Sequence, residues 1–448
     1  MHTIIVFIPL ALLMVLALTT KRMAESMIAA ALAAMVILHG TNFVSGTLDS
    51  FYETFTNSSL QFVILILVGF GGAIHLLQDS GALLGFGNLV SRFASGPKKP
   101  LLLTFFMAFL MFVEDYLSAL TLTFSMKSVC DENRIPREHL AVLSVAVPTS
   151  LCLLIPFSSW IAFTVGLLKD FGLGFNDYVL SIRYMFYPMV IVIVMFLIVI
   201  GVIPKVGELK NAYDRVAAGG PTHLIEEKGQ SLVDLEMDSD QKPSGAWNAL
   251  IPIAVMVIGT LAYDNDVLHG VFLALFVEFA LYIGQRIMTI PQFFDSFFEG
   301  AKGMTSLGII VFFGFLLSDS NQKLGVFDIM IRGVTSAIPL QLLPLLTFLL
   351  IFFATFATAG CWTMQIIAVP IFIPIALGAG YPVHPIIAAM MSGVCMGYTA
   401  CFYADGVFLC SAGTGVSNIR IVKTIMPYTI LSGIISAVAF VVLGFMMV

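Results

Sequence analysis

The chain is poor in charge. Only 11 % of its 448 residues are Asp, Glu, Lys or Arg, where a soluble domain carries about 25 %. Hydrophobic residues make up 59 %, and mean hydropathy is +1.00. This balance excludes a soluble enzyme and points to a polytopic helical membrane protein. No basic stripe is present, so nucleic acid is not an expected partner. Net charge is −6, with part of the acidic excess gathered in one loop. The cysteines Cys130, Cys152, Cys361, Cys395, Cys401 and Cys410 lie mostly inside apolar runs and form no CxxC or Cys/His pair of zinc spacing. Disulfides, a bound metal and a cofactor are not expected. HExxH and GxSxG are also missing. No cleavable signal is evident: charge follows residues 3–20 at Lys21-Arg22, and Thr19-Thr20 is a poor cleavage site.

Long apolar runs are what the chain does have. The most informative is 100–128, apolar except for Glu114-Asp115-Tyr116. As one helix it would be about 42 Å long, against a hydrocarbon core of about 30 Å. Lys98 and Lys99 precede it, Lys127 stands at its end, and Arg134 and Arg137 follow. Cations mark the cytoplasmic side, so both ends belong there. The segment reads as a re-entrant hairpin with Asp115 at its tip, near the midplane. No Lys or Arg lies between residues 100 and 126. An ionised carboxylate at that depth costs at least about 2.5–3.5 kcal/mol and marks a functional site.

In chain order, 3–20 and 23–40 span. Residues 41–58 are amphipathic and lie at the interface, 59–77 span, and 82–97 form a second interfacial helix carrying Arg92. After the hairpin, 139–168 are apolar but interrupted by Pro148-Thr149-Ser150 and by Pro156-Phe157-Ser158-Ser159-Trp160. Proline removes a backbone donor, and a broken helix at membrane depth must be buried in protein or line a cavity. Residues 184–203 span. Residues 204–246 are the only long hydrophilic stretch, a cytoplasmic linker expected to be partly disordered. Spans follow at 247–263 and 267–285.

The second half repeats the first. Leu48-Asp49-Ser50-Phe51-Tyr52-Glu53 is echoed by Phe294-Asp295-Ser296-Phe297-Phe298-Glu299, and Leu77-Gln78-Asp79-Ser80 by Leu317-Ser318-Asp319-Ser320. Arg92 pairs with Arg332, Leu103-Thr104-Phe105 with Leu346-Thr347-Phe348, and His139 with His384. The second hairpin is then 340–376, the second broken helix 383–412, and 425–447 close the chain. With the N-terminus outside, Lys169, Arg183, Lys323 and Arg332 are the only cations outside; the remaining Lys and Arg fall on the cytoplasmic side. The repeats are therefore inverted, as in secondary transporters. The expected architecture is an all-α polytopic membrane protein of about ten spanning helices. It holds two inverted repeats, each with a re-entrant hairpin and a broken helix. Its parts are 1–40 (N-terminal spans), 41–203 (repeat one), 204–246 (linker) and 247–448 (repeat two with the last span).

Asp115 and Asp405 are the two deepest acids on this layout. Nearby polar groups are Ser118, Ser158, Ser159, Thr355, Thr358, Thr363, Tyr398, Thr399 and Ser411. Hard cations take carboxylate, hydroxyl and carbonyl oxygens, so Asp115 and Asp405 are candidate Na⁺ ligands. A desolvated carboxylate also binds H⁺. Each hydroxyl taken singly reads equally as helix packing. Glu114 reads as a ligand or an interfacial contact. Trp160 and Trp362 occupy breaks in both repeats, either as walls for an organic solute or as packing. Glu278, inside an apolar helix, suits a subunit or domain contact, and Asp79 and Asp319 read as caps.

Certain runs carry a resemblance. Glu114-Asp115-Tyr116, Asn133-Arg134-Ile135-Pro136-Arg137-Glu138-His139-Leu140-Ala141 and Pro156-Phe157-Ser158-Ser159-Trp160-Ile161-Ala162-Phe163 resemble the NhaC-type sodium/proton antiporter family. So do Trp247-Asn248-Ala249-Leu250-Ile251-Pro252 and Asp405 with Ser411-Ala412-Gly413, over roughly residues 40–430. The resemblance implies a sodium-linked secondary transporter in the cell (inner) membrane, with Na⁺ and H⁺ as coupling ions, often a homodimer working by an elevator motion. Three places depart from the pattern. Val145-Ala146-Val147 stand where the family has Asp-Ser-Thr, and Tyr398-Thr399-Ala400-Cys401-Phe402 where it has Asp-His-Cys-Ser-Pro. Thr358-Ala359-Gly360-Cys361-Trp362 replace Thr-Gly-Thr-Ser-Trp.

Sodium/proton antiport is the leading expectation. A Na⁺- or H⁺-coupled symporter or exchanger of a small organic solute, an amino acid or carboxylate, is the rival. An intramembrane aspartyl protease using Asp115 and Asp405 would need two carboxylates sharing a proton, and neither acid stands in the sequence context of that class.

Overall fold

Asn57 opens a long helix by accepting hydrogen bonds from the N–H groups of Ser59 and Leu60 at 2.8 and 3.0 Å, a side-chain cap that satisfies two orphan donors. The rest of the chain follows the same rule. The computed structural model describes residues 5–20, 22–91, 99–224, 242–264, 266–326, 328–329, 339–402 and 404–447, which are helical with no strand among them. That is the expected outcome in lipid, where each backbone group must find its partner within the segment.

The first helices are α1 (Ile8–Thr20), α2 (Met23–His39), α3 (Phe43–Phe55), α4 (Ser58–Asp79) and α5 (Ala82–Ser91). Helix α3 is the expected amphipathic element. Helix α5 is shorter than the expected 82–97, and Arg92 lies outside the described residues. The acidic island then splits the next run as expected, into α6 (Lys99–Leu110) and α7 (Asp115–Glu132).

Helices α8 (Arg137–Leu154) and α9 (Ser159–Leu168) form the first broken helix. Two interruptions were expected, and only the second exists: Pro148 sits inside α8, which runs on past it. The Thr149 and Ser150 hydroxyls bond back to the carbonyls of Val145 and Ala146 at 2.9 and 2.7 Å. The helix survives the proline inside protein, buried from Glu138 to Leu153. At the second break Phe157 has φ 148°, a region an L-residue enters only under constraint. A short helix not marked in the sequence, α10 (Phe175–Ile182), precedes α11 (Phe186–Ile200) and meets it at 50°.

The linker holds more structure than its composition implies. Helix α12 (Gly207–Ala217) lies within it, while 225–241 fall outside the described residues. Arg215 reaches both carboxylate oxygens of fully buried Glu138 at 2.9 and 3.0 Å. Tyr213 hydrogen-bonds His139 at 2.8 Å.

Beyond it come α13 (Trp247–Ala262), α14 (Val267–Gly284), α15 (Ile290–Gly303) and α16 (Thr305–Lys323), then α17 (Leu343–Thr358), α18 (Cys361–Gly378), α19 (Val383–Ala400), α20 (Asp405–Thr414) and α21 (Asn418–Met447). Helices α17 and α18 are the second hairpin, α19 and α20 the second broken helix. The order of hairpin then broken helix thus occurs twice. Among the described residues, eight helices are long and apolar enough to cross a membrane, or ten if each bent pair is one span. The protein is an all-α polytopic membrane protein.

Packing gives two groups of helices, joined where α9 lies on α4 and α18 on α16. Helix α13 lies on α14, α15 and α14 on α4, and α16 on α2. The two hairpins and the two broken helices pack with one another and with α11 and α21. Helix α19 sits against the backbone of α17: a Cβ at Gly397 would come within 2.6 Å of Thr355 Cβ and 2.7 Å of the Phe352 carbonyl. Only glycine permits that approach.

Candidate functional site

The four helix breaks come together, and backbone groups do much of the joining. The N–H of Ser159, first in α9, donates to the carbonyl of Val113 at the tip of hairpin one, at 2.9 Å. Cys152 Sγ donates to the Phe112 carbonyl at 3.1 Å. Ser158 caps α9, its Oγ accepting from the Ile161 N–H at 3.2 Å and donating to the Cys152 carbonyl. Its hydroxyl is therefore spent on holding the break.

Asp115 is the first residue of α7, where the helix dipole favours a carboxylate. It is 2 % exposed. The indole Nε1 of Trp160, itself fully buried, donates to Asp115 Oδ1 at 2.9 Å. The other carboxylate oxygen, Oδ2, has no hydrogen-bond partner among the described residues, and neither do the buried hydroxyls of Ser118, Ser159 and Thr355. Buried oxygens left open in this way are costly, and they are the donor set a hard cation uses. Glu114 is buried beside Asp115.

The second half supplies the opposite wall. Trp362 stands second in α18, with its ring centroid 5.2 Å from that of Trp160 and 4.9 Å from that of Phe163. Its Nε1 donates to the Tyr116 hydroxyl at 3.3 Å, and that hydroxyl donates to Asp405 Oδ2, also at 3.3 Å. Asp405 is the first residue of α20. Tyr398 is fully buried; its ring centroid is 5.9 Å from that of Trp160, and its hydroxyl accepts from the Gly406 N–H at 2.7 Å. Asp115 and Asp405 therefore head two half-helices, one in each half of the chain, and aromatic side chains join them.

The two acids differ in exposure: Asp115 is buried, but Asp405 is exposed. Position along an apolar run gives depth along the helix, not the direction a side chain faces. Asp405 stands at the open edge of the cluster, with half-buried Tyr116 and Trp362 beside it and Asp115 behind.

Other expected residues divide. Thr399 points away, bonding Tyr187 at 3.0 Å and the Cys395 carbonyl at 2.9 Å. Thr358 bonds the Ala354 carbonyl at 2.7 Å and finishes α17. Thr363 is buried on the first turn of α18, and Ser411 is half-buried further along α20. Glu278 is buried in α14, away from the cluster, with neither carboxylate oxygen partnered among the described residues. Tyr116 was missed as a member of the site. Its signal was present, since it completes the acidic island. Elsewhere, a polar space of about 310 Å³ is lined by Glu53, Asp170 and Asp319, where Lys323 bridges Glu53 and Asp319 at 2.7 and 2.8 Å.

Among the described residues no group of three or more His, Cys, Asp and Glu could hold a metal ion. The cluster instead offers carboxylate and hydroxyl oxygens, which suit a transiently bound alkali cation or a proton.

The chain is similar to known proteins along most of its length. An uncharacterized protein of Haemophilus influenzae is 22 % identical over 481 residues, covering 98 % of this chain and 90 % of that one. Among solved structures, one from work titled as showing Neisseria gonorrhoeae MtrF to illuminate a class of antimetabolite efflux pumps matches with TM-score 0.62 and 13 % identity, over 90 % of this chain and 84 % of that one. The Alcanivorax borkumensis YdaH transporter matches with TM-score 0.50 and 11 % identity, over 91 % of this chain and 90 % of that one. These two likenesses are of fold. The family model of the Na⁺/H⁺ antiporter family matches residues 151–445, a span that takes in Trp160, Trp362 and Asp405 and begins after Asp115. The chain belongs to the Na⁺/H⁺ antiporter family.

Proposed function

We propose that this membrane transporter exchanges Na⁺ for H⁺ by alternating access, with Asp115 as the central charge carrier and Asp405 as its partner at the mouth. The observation that carries the reading is the unpartnered Oδ2 of buried Asp115, with the open hydroxyls of Ser118 on the same first helical turn and of Ser159 on the segment bonded to Val113. A carboxylate so placed needs a positive charge, either a proton or a cation, and cannot readily hold both. Competition for one carboxylate produces exchange without further machinery. Hairpins and broken helices meeting in one cluster support the inverted-repeat arrangement. The two packing groups support an elevator motion, in which the hairpin group slides against the other.

The test is transport into proteoliposomes loaded with a pH-sensitive dye, with Na⁺, Li⁺ and K⁺ added in turn. Proton movement driven by Na⁺ and absent from Asp115→Asn supports the reading. Unaltered Na⁺-driven proton movement in that variant removes Asp115 from the site.

The aromatic lining favours a second reading, a Na⁺- or H⁺-coupled carrier of a small organic solute. Trp160, Trp362 and Phe163 form a wall that a bare cation does not need. Work on the Neisseria protein of similar fold places it in a class of antimetabolite efflux pumps, a load such a wall would suit. Adding carboxylates and amino acids to the same dye assay separates the two readings.

A further inference from the structure

Tyr116 joins three elements with one hydroxyl. It stands second in α7, accepts from Trp362 at the tip of hairpin two, and donates to Asp405 at the head of α20. A phenol has one proton to give, and here it goes to Asp405 Oδ2. Both contacts are 3.3 Å long, beyond the usual range for either bond type, so each is easily broken. Tyr116 and Trp362 are half-buried while Asp405 is exposed. The group stands between the open edge and the sealed pair of Asp115 and Trp160.

We infer that Tyr116 is the latch that ties hairpin two to the head of α20 and covers Asp115, and that a cation arriving at Asp405 releases it. The release clause rests on the cation-exchange reading; the latch itself rests on geometry alone. A cation reaches exposed Asp405 before Asp115. Once held by Oδ2, it repels the phenol O–H, whose positive end points at the same oxygen. The hydroxyl turns, Trp362 loses its acceptor, and the tip of hairpin two is freed. The path to Asp115 Oδ2 then opens. Trp160 has its own bond to Asp115 Oδ1 and stays in place.

Hydrogen–deuterium exchange of the purified full-length protein tests this on peptides spanning residues 356–366. Peptides from α8 serve as the internal reference. Tyr116→Phe keeps the ring and removes the hydroxyl. It should speed exchange at the tip by roughly two- to fivefold, the lower part of the range for losing one hydrogen bond, with α8 unchanged. Trp362→Phe, which removes the N–H, should do the same. In the wild type, Na⁺ added to a choline buffer should speed tip exchange, and in Tyr116→Phe it should add nothing. Equal tip exchange in wild type and Tyr116→Phe overturns the latch, as does a rise that extends equally to α8. If both variants free the tip but Na⁺ leaves the wild type unchanged, the latch stands and the sodium reading fails.

Discussion

Trp160 donates its indole N–H to Asp115 at 2.9 Å across 45 residues of sequence. The bond fixes one carboxylate oxygen and leaves the other without a partner among the described residues. A hydrogen bond to a charged group is worth about 1.5–3 kcal/mol. Trp160→Phe keeps an aromatic ring and removes the donor. The freed carboxylate should rotate, and apparent Na⁺ affinity should weaken about tenfold, for a loss of about 1.4 kcal/mol. Na⁺ titration of dye-loaded proteoliposomes measures it. An unchanged half-saturating concentration would show that Trp160 only packs.

Asp115 and Asp405 should behave differently when neutralised, because one is sealed and the other exposed. Asp115→Asn should abolish Na⁺-driven proton movement while the protein still purifies as a folded species. Asp405→Asn should leave slower transport with weaker apparent Na⁺ affinity. Equal loss in both variants would argue that the two acids act as one unit.

Much of this was legible in the sequence because membranes impose simple rules. Apolar length gave the spans, cation placement gave an orientation to test, and the Glu114-Asp115-Tyr116 island located hairpin one. Pro148 was misread, because a proline's effect depends on the packing around it, and α8 is buried continuously from Glu138 to Leu153. The exposure of Asp405 was hidden, since a helix head can face either way. Helix α12 was masked by the hydrophilic composition around it. Its partners, Glu138 and His139, lie in another helix, and single-chain patterning carries no sign of such long-range pairs.

The orientation can be checked on intact cells. Single cysteines at Lys210 and Asp264, both exposed, should label from opposite faces. The expected result is that Lys210→Cys is protected from a membrane-impermeant maleimide and Asp264→Cys reacts. The reverse pattern would turn the arrangement over; labelling of both from outside would refute the topology.

The linker should act as a structural strap. Glu138 is fully buried and paired with Arg215 at 2.9 Å, with Arg420 further off at 4.0 Å; removing one partner of a buried pair costs up to about 3–5 kcal/mol. Arg215→Ala should therefore lower the unfolding temperature in detergent markedly, and an unchanged value would refute the strap. Acid should loosen it from a second point. Burial pushes the Asp131 carboxyl up, but hydrogen bonds from Arg137 and Thr222 more than offset this and leave its pKa below the ordinary 3.8. A carboxyl lowered on folding adds stability above its unfolded value, and that stability disappears as pH falls through the folded one. Stability should thus drop below about pH 4, in the range where unfolded carboxyls titrate, and Asp131→Asn should lessen the dependence.

The tip of hairpin two offers the last test. Ala359 ends α17 at φ 57°, ψ 3°, in the left-handed region. An L-residue held there costs about 1–2 kcal/mol relative to the right-handed form; glycine pays almost none of it. The closed tip is therefore strained at one residue, and its contacts, the Trp362–Tyr116 bond included, must outweigh that strain. Relieving it stabilises the closed form specifically, if opening lets residue 359 leave this conformation. Ala359→Gly should raise the unfolding temperature and slow deuterium exchange at the tip. If tip opening limits the cycle, turnover should fall with it. A faster-exchanging tip would mean that glycine's added freedom outweighs the relieved strain, and that Ala359 is kept for stiffness.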